Sequence, residues 1–331
     1  MILLVNRSPQ ISTIDLFAGA GLLSHAFSEF GCRSSLAVEA DSRAERSFAT
    51  NIGADAFARD VRHVIPGEAC DILIAGPPCQ GFSTLGKRDA SDERNDLSLF
   101  VADWARQRSP SVVVVENVPQ FLESPQLHKL VRRMRRQGYC STQWTLNAAD
   151  FGTPQLRVRS FVIFSRIGLP PPPIPCAGQP KTVREAFKGL PATPARRGMH
   201  VAPTPGALAL ARFKVIPPRG DKRDVMREAP ELCPPSWLRM GAQATDVWGR
   251  LDPESPANTL RCCFQNASKG RYVHPTADRV LTLKEGARLQ GIPDTWKFFG
   301  DAKSIARQIG NGVPIPLGRA VAAQVVSLLN P

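Results

Sequence analysis

Residues 13–22 read Thr13-Ile-Asp-Leu-Phe-Ala-Gly-Ala-Gly-Leu22, an apolar run that breaks into a glycine-rich turn and then into a helical pattern. Such a turn ends a strand, opens a helix and lets the backbone bend tightly around a ligand at the helix N-terminus. It is not the G-x-G-x-x-G dinucleotide fingerprint, and alone it fits a structural turn as well as a ligand site. Its surroundings decide the fold. Apolar runs at Thr13 to Phe17, Ser35 to Glu39, Ile72 to Ala75, Val112 to Glu116 and Phe161 to Ser165 alternate with helix-length segments. Those segments are Leu22 to Glu29, Ser42 to Thr50 with Asp41 as cap, Asp96 to Arg106 and Pro125 to Gln137. Alternation of this kind marks βα units feeding a parallel sheet. The expected fold is a doubly wound, mostly parallel, Rossmann-like α/β sheet with a smaller irregular domain.

The irregular domain announces itself near residue 170, where Pro170, Pro171, Pro172, Pro173 and Pro175 end the repeat. Half of the 30 prolines fall between Pro170 and Pro235, and Lys181 to Pro230 holds 11 basic and 4 acidic residues, a net +7. A linker would explain the prolines but not the charge, so a small substrate-contacting domain is expected. Regular patterning resumes after about residue 256, with helices at Leu283 to Gln290 and Pro316 to Leu329, the latter packing back on the first domain. The predicted divisions are 1–168, 169–255 and 256–331.

Over 331 residues the net charge is +13 and the apolar content 43%, enough for a sizeable core and a surface suited to a polyanion. No run approaches the roughly 18 apolar residues of a membrane helix, and MILLVNRSPQ is too short for a signal peptide, which predicts a cytoplasmic protein. The eight cysteines include no C-x-x-C pair, which argues against a disulfide framework and a zinc site.

One of those cysteines stands apart. Gly76-Pro-Pro-Cys-Gln-Gly-Phe-Ser83 follows a strand directly and mounts Cys79 on a stiff turn at the carboxyl edge of the sheet, where ligands bind in such folds. A cysteine is usually a small buried apolar residue, but two prolines and two glycines would be wasted around one. Val112-Val-Val-Val-Glu-Asn-Val118 is a buried strand ending in a carboxylate, Glu116, either a solvated strand end or a catalytic group at that same edge.

DLFAGAG, GPPCQGFS, ENV, QLRVR (Gln155 to Arg159) and GNGVP (Gly310 to Pro314) occur here in the order found in the C5-cytosine DNA methyltransferases, and the chain resembles that family, of the bacterial modification type, over nearly its whole length. The resemblance implies double-stranded DNA as substrate and S-adenosyl-L-methionine as cofactor. Cys79 would attack carbon 6 of a cytosine flipped from the duplex, Glu116 hold or protonate ring nitrogen 3, and Arg159 bind the exocyclic oxygen. Gln155 and Arg157 would contact phosphates or scaffold. For the cofactor, Phe17 would stack on adenine, Ala18, Gly19 and Gly21 line the amino acid moiety, Glu39 take the ribose hydroxyls and Asp60 the adenine amine, with Pro77, Leu97, Asn311 and Val313 in the same pocket. Gln80 and Ser83 would grip the nucleotide backbone, and Gly81 to Asn95, with Lys87, Arg88 and Arg94, would form a lid over the DNA. Asn258 to Leu260, Lys269 to Tyr272 and Arg288 to Gly291 resemble the family's ninth motif, a scaffold region, and His274 reads as structural. Leu22 stands where the family commonly has a second consecutive glycine, adding bulk beside the methionine site.

Specificity is expected from Leu169 to about Leu251, whose arginines can read guanine. A monomer is expected, with a restriction endonuclease as a possible partner on the same site. The rivals are a tRNA cytosine-5 methyltransferase, a catalytically inactive DNA-binding relative and a nicotinamide dehydrogenase. The last leaves the cysteine turn and the basic segment unexplained.

Overall fold

In the computed structural model, which describes residues 10–65, 67–78, 93–240 and 246–329, β1 (Ser12–Leu16), β2 (Arg33–Val38), β3 (Ala56–Ala58), β4 (Ile72–Ala75), β5 (Val112–Asn117), β6 (Cys140–Asn147) and β7 (Val158–Ser165) form one sheet. Its order is β3-β2-β1-β4-β5-β7-β6. β1 to β5 pair in parallel, while β7 runs antiparallel to both β5 and β6. The chain steps outward from β1 to β2 and β3, then returns to the other side of β1 with β4 and continues to β5. That reversal opens a crevice at the carboxyl ends of β1 and β4, the switch point at which α/β sheets bind ligands.

The strand cores fall where the apolar runs predict them. β3 and β6 were not among the expected strands. β3 has three residues, and β6 is an edge strand whose Trp144 and Leu146 face inward between exposed Gln143 and Thr145. Its polar composition hides a half-buried alternation.

Helices α1 (Leu22–Ser28), α2 (Ser42–Asn51), α3 (Phe100–Arg108) and α4 (Pro125–Arg135) flank the sheet. Asp41 caps α2 by accepting from the Arg43 N–H at 3.0 Å, and Ser124 caps α4 by accepting from the Leu127 N–H at 3.1 Å. The expected helix at 96–106 is instead a 3₁₀ turn, Glu93–Leu99, running into α3. The turn brings Leu97, Leu99, Phe100 and Val101 onto a core that also holds Leu73, Val113, Val115, Leu127, Leu130, Met134 and Phe164. Trp104 is fully buried there, its indole N–H donating to the Val61 carbonyl at 2.8 Å. Truncating such a side chain to alanine costs roughly 3–5 kcal/mol.

Residues 148–157 and 176–314 form a second compact unit. The proline-rich segment within it is less irregular than its composition suggests. It carries α5 (Val183–Phe187), α6 (Ala207–Val215), α7 (Lys222–Glu228) and α8 (Pro235–Met240), with capping boxes at Thr182/Glu185 and Asp221/Asp224 starting two of them. α6 and α7 pack around Phe213, Ile216, Val225, Trp237, Trp248 and Val273. Among the described residues here the strands are only isolated bridges, and buried Arg250 satisfies much of the backbone. Its five N–H groups reach the carbonyls of Ile216, His274, Ala277 and Phe213 and the Asp278 carboxylate, all at 2.7–3.0 Å. α9 (Leu283–Leu289) and α10 (Ala302–Asn311) complete the unit.

α11 (Ile315–Val326) belongs with the sheet and packs on α1. Gly318 permits the approach, because a Cβ there would lie 2.8 Å from Ala26 Cβ, and Arg319 Nη2 donates to Glu29 Oε1 at 2.6 Å. No described helix is long and apolar enough to cross a membrane.

Candidate active site

The sheet register pairs Leu16 with Val38 and with Ala75, and Ala75 with Val115. The next residues, Phe17, Glu39, Gly76 and Glu116, therefore stand in one row along the carboxyl edge, although 99 positions separate the first from the last.

At the β4–β5 end of the row, β4 runs on into Gly76, Pro77 and Pro78, the residues before Cys79. A Cβ on Gly76 would stand 3.7 Å from Glu116 Oε2, and Asn117 Nδ2 donates to the Pro77 carbonyl at 3.1 Å. Asn117 Oδ1 also accepts from the Val118 N–H at 2.8 Å, and Ser160 Oγ donates to the Asn117 and Val118 carbonyls. Asn117 is thus the residue that ties the proline turn to β5. Sequence reasoning quoted it within ENV without giving it a role. Glu116 is buried, and Arg159 Nε lies 3.1 Å from its Oε1. Cys79, Gln80, Ser83, Lys87, Arg88 and the side chain of Arg94 lie outside the described residues, as does most of the expected lid.

At the β1–β2 end the backbone is bent hard. Phe17 has φ +61°, Gly19 +56° and Gly21 +88°. The left-handed conformation is ordinary for glycine but costs a phenylalanine of order 1 kcal/mol or more, and such strain concentrates at ligand sites. Nothing lies within 4 Å of where a Gly19 Cβ would be, whereas one on Gly21 would meet Phe48 and Ile52 at 2.9 Å. Gly19 borders open space, and Gly21 serves close packing. Both carboxylate oxygens of Glu39 are anchored, accepting from the Gly19 and Asp41 N–H groups at 2.8 Å each. Burial pushes the Glu39 carboxyl above its usual range, and these backbone bonds oppose the shift. Each oxygen keeps a lone pair for a diol. The open cradle at Gly19 with an oriented carboxylate beside it fits an amino acid and ribose moiety.

Asp60 follows β3 on the same edge, but Arg62 grips both of its oxygens at 2.7–3.2 Å, holding the carboxyl down at about 2. Leu97 is half-buried on the first core and Pro77 is buried. Leu22, at the start of α1, is only 2% exposed.

For Gln155 and Arg157 the sequence left phosphate contact or scaffold open. Gln155 and Arg157, 0% and 1% exposed, are scaffold residues of the second unit. Arg157 donates to the carbonyls of Leu260, Gly310 and Gly312 at 2.8–3.2 Å. Gln155 donates to the Leu289 carbonyl and to Gln290 Oε1, and accepts from the Leu260 N–H at 2.7 Å. Gln290 in turn donates to the Ile309 carbonyl at 2.7 Å. This buried network fastens QLRVR to the Leu260 segment, to α9 and to the end of α10. Asn311 and Val313 sit at that end, in the loop whose Gly310 and Gly312 carbonyls Arg157 holds. Gln290 was missed as an individual residue. Its signal is a glutamine at the end of an apolar helix face, where a buried amide must find partners. His274, expected to be structural, stacks on Phe187 at 5.7 Å between ring centroids, and its Nδ1 accepts from the Thr276 and Ala277 N–H groups.

Residues 11–186 and 227–327 match the family model of the C-5 cytosine-specific DNA methylase. The type II methyltransferase M.DdeI of Desulfomicrobium norvegicum is 30% identical over 95% of this chain and 88% of its own length. M.XorII of Xanthomonas oryzae pv. oryzae is 30% identical over 96% and 84%. Among solved structures, Entamoeba histolytica methyltransferase EhMeth shares the fold with a TM-score of 0.72 at 14% identity, covering 97% of this chain and 99% of that one. A DNMT2 mutant of Spodoptera frugiperda does so at 0.67 and 15%, covering 96% and 99%. A match that runs through both units and lapses only inside the basic segment establishes that the chain belongs to the C-5 cytosine-specific DNA methylase family and is a DNA cytosine-5 methyltransferase.

Proposed function

We propose that the chain methylates carbon 5 of a cytosine flipped out of duplex DNA, with Cys79 as nucleophile, Glu116 and Arg159 as the groups that receive the base, and S-adenosyl-L-methionine as cofactor. The observation that carries this reading is the Glu116–Arg159 pair standing beside Gly76 and Pro77, two to three residues before Cys79. Carbon 5 of an aromatic cytosine is a poor nucleophile. Addition of the Cys79 thiolate to carbon 6 breaks the conjugation and sends an electron pair into the ring, toward nitrogen 3. A carboxyl at nitrogen 3 supplies the proton that neutralises it. When the exocyclic oxygen engages Arg159, the guanidinium loosens from Glu116, and that carboxylate takes up a proton from solvent and presents it to nitrogen 3. Phe17, Ala18, Gly19, Gly21 and Glu39 would hold S-adenosyl-L-methionine, which would supply an electrophilic methyl group for carbon 5. Loss of the carbon-5 proton then lets Cys79 leave and restores the ring.

Residues 169–255 are proposed to select the sequence. In support, residues 187–226 fall outside the family match and carry 8 basic against 2 acidic residues. The relatives named type II methyltransferases support a role in a restriction–modification system, in which a monomer protects sites from a partner endonuclease in the cytoplasm. The deciding experiment is base-resolution methylation sequencing of DNA from a host expressing wild type or Cys79→Ser, with covalent trapping on duplexes containing 5-fluorocytosine. Methylated cytosines in one sequence context, absent with Cys79→Ser, are expected. Preference for RNA, or activity surviving in Cys79→Ser, would overturn the proposal.

A further inference from the structure

α4 is amphipathic in a lopsided way. Leu127, Leu130 and Met134 bury one stripe against the sheet. The remaining surface exposes Lys129, Arg132, Arg133, Arg135 and Arg136. Lys129, Arg132 and Arg136 follow one line along the helix, with neighbours about 5–6 Å apart. Among the described residues, Lys129, Arg132, Arg135 and Arg136 take part in no ion pair, and Arg133 reaches only Asp103, at 3.8 Å. Arg166 adds a further exposed cation, its guanidinium stacked 4.3 Å from the ring centroid of Tyr139, just beyond the helix.

Complementing the helix dipole needs one or two cations in the last turn. Four arginines in positions 132–136 exceed that and repel one another, which destabilises the helix. The cluster is also remote from the reaction. α4 feeds β6, whose first residue, Cys140, pairs with Ser165, and Ser165 in turn pairs with Val112, the first residue of β5. Glu116 stands at the other end of β5. Arg135, Arg136 and Arg166 therefore stand at the amino edge of the sheet, roughly a strand length, about 17 Å, below the row that holds Glu116, with Arg132 and Lys129 progressively nearer that row along α4.

We propose that the exposed face of α4 from Lys129 to Arg136, with Arg166, is a second DNA-binding face that holds the phosphates of a duplex segment other than the one being methylated. The inference rests on the reading of DNA as the substrate. The face is built for a sequence-independent grip. It carries guanidinium and ammonium groups, while its nearest amide, Gln137, is engaged with the Ala102 carbonyl at 2.9 Å. Such a face would keep the enzyme on long DNA between sites by passing it from one segment to the next.

The test uses the full chain and the variant K129Q/R132Q/R135Q/R136Q, with R135Q/R136Q as a milder companion, both checked for a wild-type melting temperature. Protein loaded on an immobilised duplex is offered a fluorescent 40-bp duplex of unrelated sequence, about 40 bp spanning nearly four helical turns. Wild type is expected to capture the second duplex and the fourfold variant to lose it, with the double variant between. Affinity for long unrelated DNA should fall about tenfold or more at low salt in the fourfold variant. Its log–log salt slope should flatten by about one or more. The methylation rate on a short site-bearing duplex should stay unchanged, while that on a plasmid drops. Unchanged capture and salt slope in a folded variant would overturn the proposal, and so would a short-duplex rate that falls in parallel. Wild type that captures polyglutamate but no second duplex would assign the face to an acidic protein and also overturn it. Capture is read without turnover, so wild type that holds two duplexes and methylates neither supports this face while overturning the proposed chemistry.

Discussion

Arg159 Nε lies 3.1 Å from Glu116 Oε1, with the two side chains only 14% and 11% exposed. The contact follows from register. Antiparallel pairing sets Glu116 opposite Phe161, so Arg159, two residues earlier on the same face of β7, is its diagonal neighbour. The pair is held at the sheet edge beside the proline turn, where Asn117 links β5 to Pro77.

Glu116→Gln keeps the shape and removes the proton donor, so turnover on duplex DNA should fall by about 10²–10⁴-fold with little change in melting temperature. Arg159→Ala should lower turnover comparably and raise KM for DNA. A Glu116→Gln enzyme with wild-type kcat would remove the carboxyl from the mechanism.

Asp15 is buried in β1, hydrogen-bonded by Ser24 Oγ at 2.5 Å, and burial raises its carboxyl to about 7. The folded chain therefore holds this proton more tightly than the unfolded chain. The resulting stability is full below the unfolded value near 4 and declines as pH rises to about 7. Asp15→Asn should melt at a higher temperature than wild type at pH 8, by about 1–3 kcal/mol of stability, and the gap should close toward pH 5. Calorimetry at the two pH values reads this directly, and a gap independent of pH would refute it.

Gln290→Leu strips partners from the Ile309 carbonyl and the Gln155 amide in a fully buried position. We expect a loss of about 2–4 kcal/mol by denaturant unfolding. Arg157→Lys should be nearly as harmful as Arg157→Ala, because a point ammonium has no fork to span three carbonyls.

His274 is held neutral, with burial lowering it to about 4 and Glu285 partly opposing. Its Nδ1, accepting two backbone N–H groups, has no room for a proton. Since the unfolded imidazole titrates near 6.5, this site stabilises the fold above that pH and loses its contribution as pH falls toward 4. By NMR the ring should show no titration between pH 8 and pH 5, and His274→Gln should retain methylation at pH 7.5. A ring that titrates near 6.5 would contradict the assignment.

Much of this was legible in the residues. The strand-to-helix turn at Asp15 to Gly21, the Asp41 cap and the β-branched run at Val112 depend on near neighbours, so local pattern sufficed. β6 escaped because an edge strand with Ser, Thr and Gln outward looks polar. The helices α5 to α8 escaped because fifteen prolines in that stretch look like a breaker, while the capping boxes that start two of the helices are only a few residues long.

The sequence by itself determined the class of chemistry and its order along the chain, because a nucleophile on a proline turn, a strand-end carboxylate and a glycine-rich turn each require particular residue types in short strings. The resemblance already assigned Arg159 and not Arg157 to the base, but only the tertiary structure shows why Arg159 is the one beside Glu116. Alternation along an extended segment puts successive side chains on opposite sides, but which side is interior depends on what packs there. β7 pairing gives Arg159 to Glu116, and the carbonyls of Leu260, Gly310 and Gly312 claim Arg157.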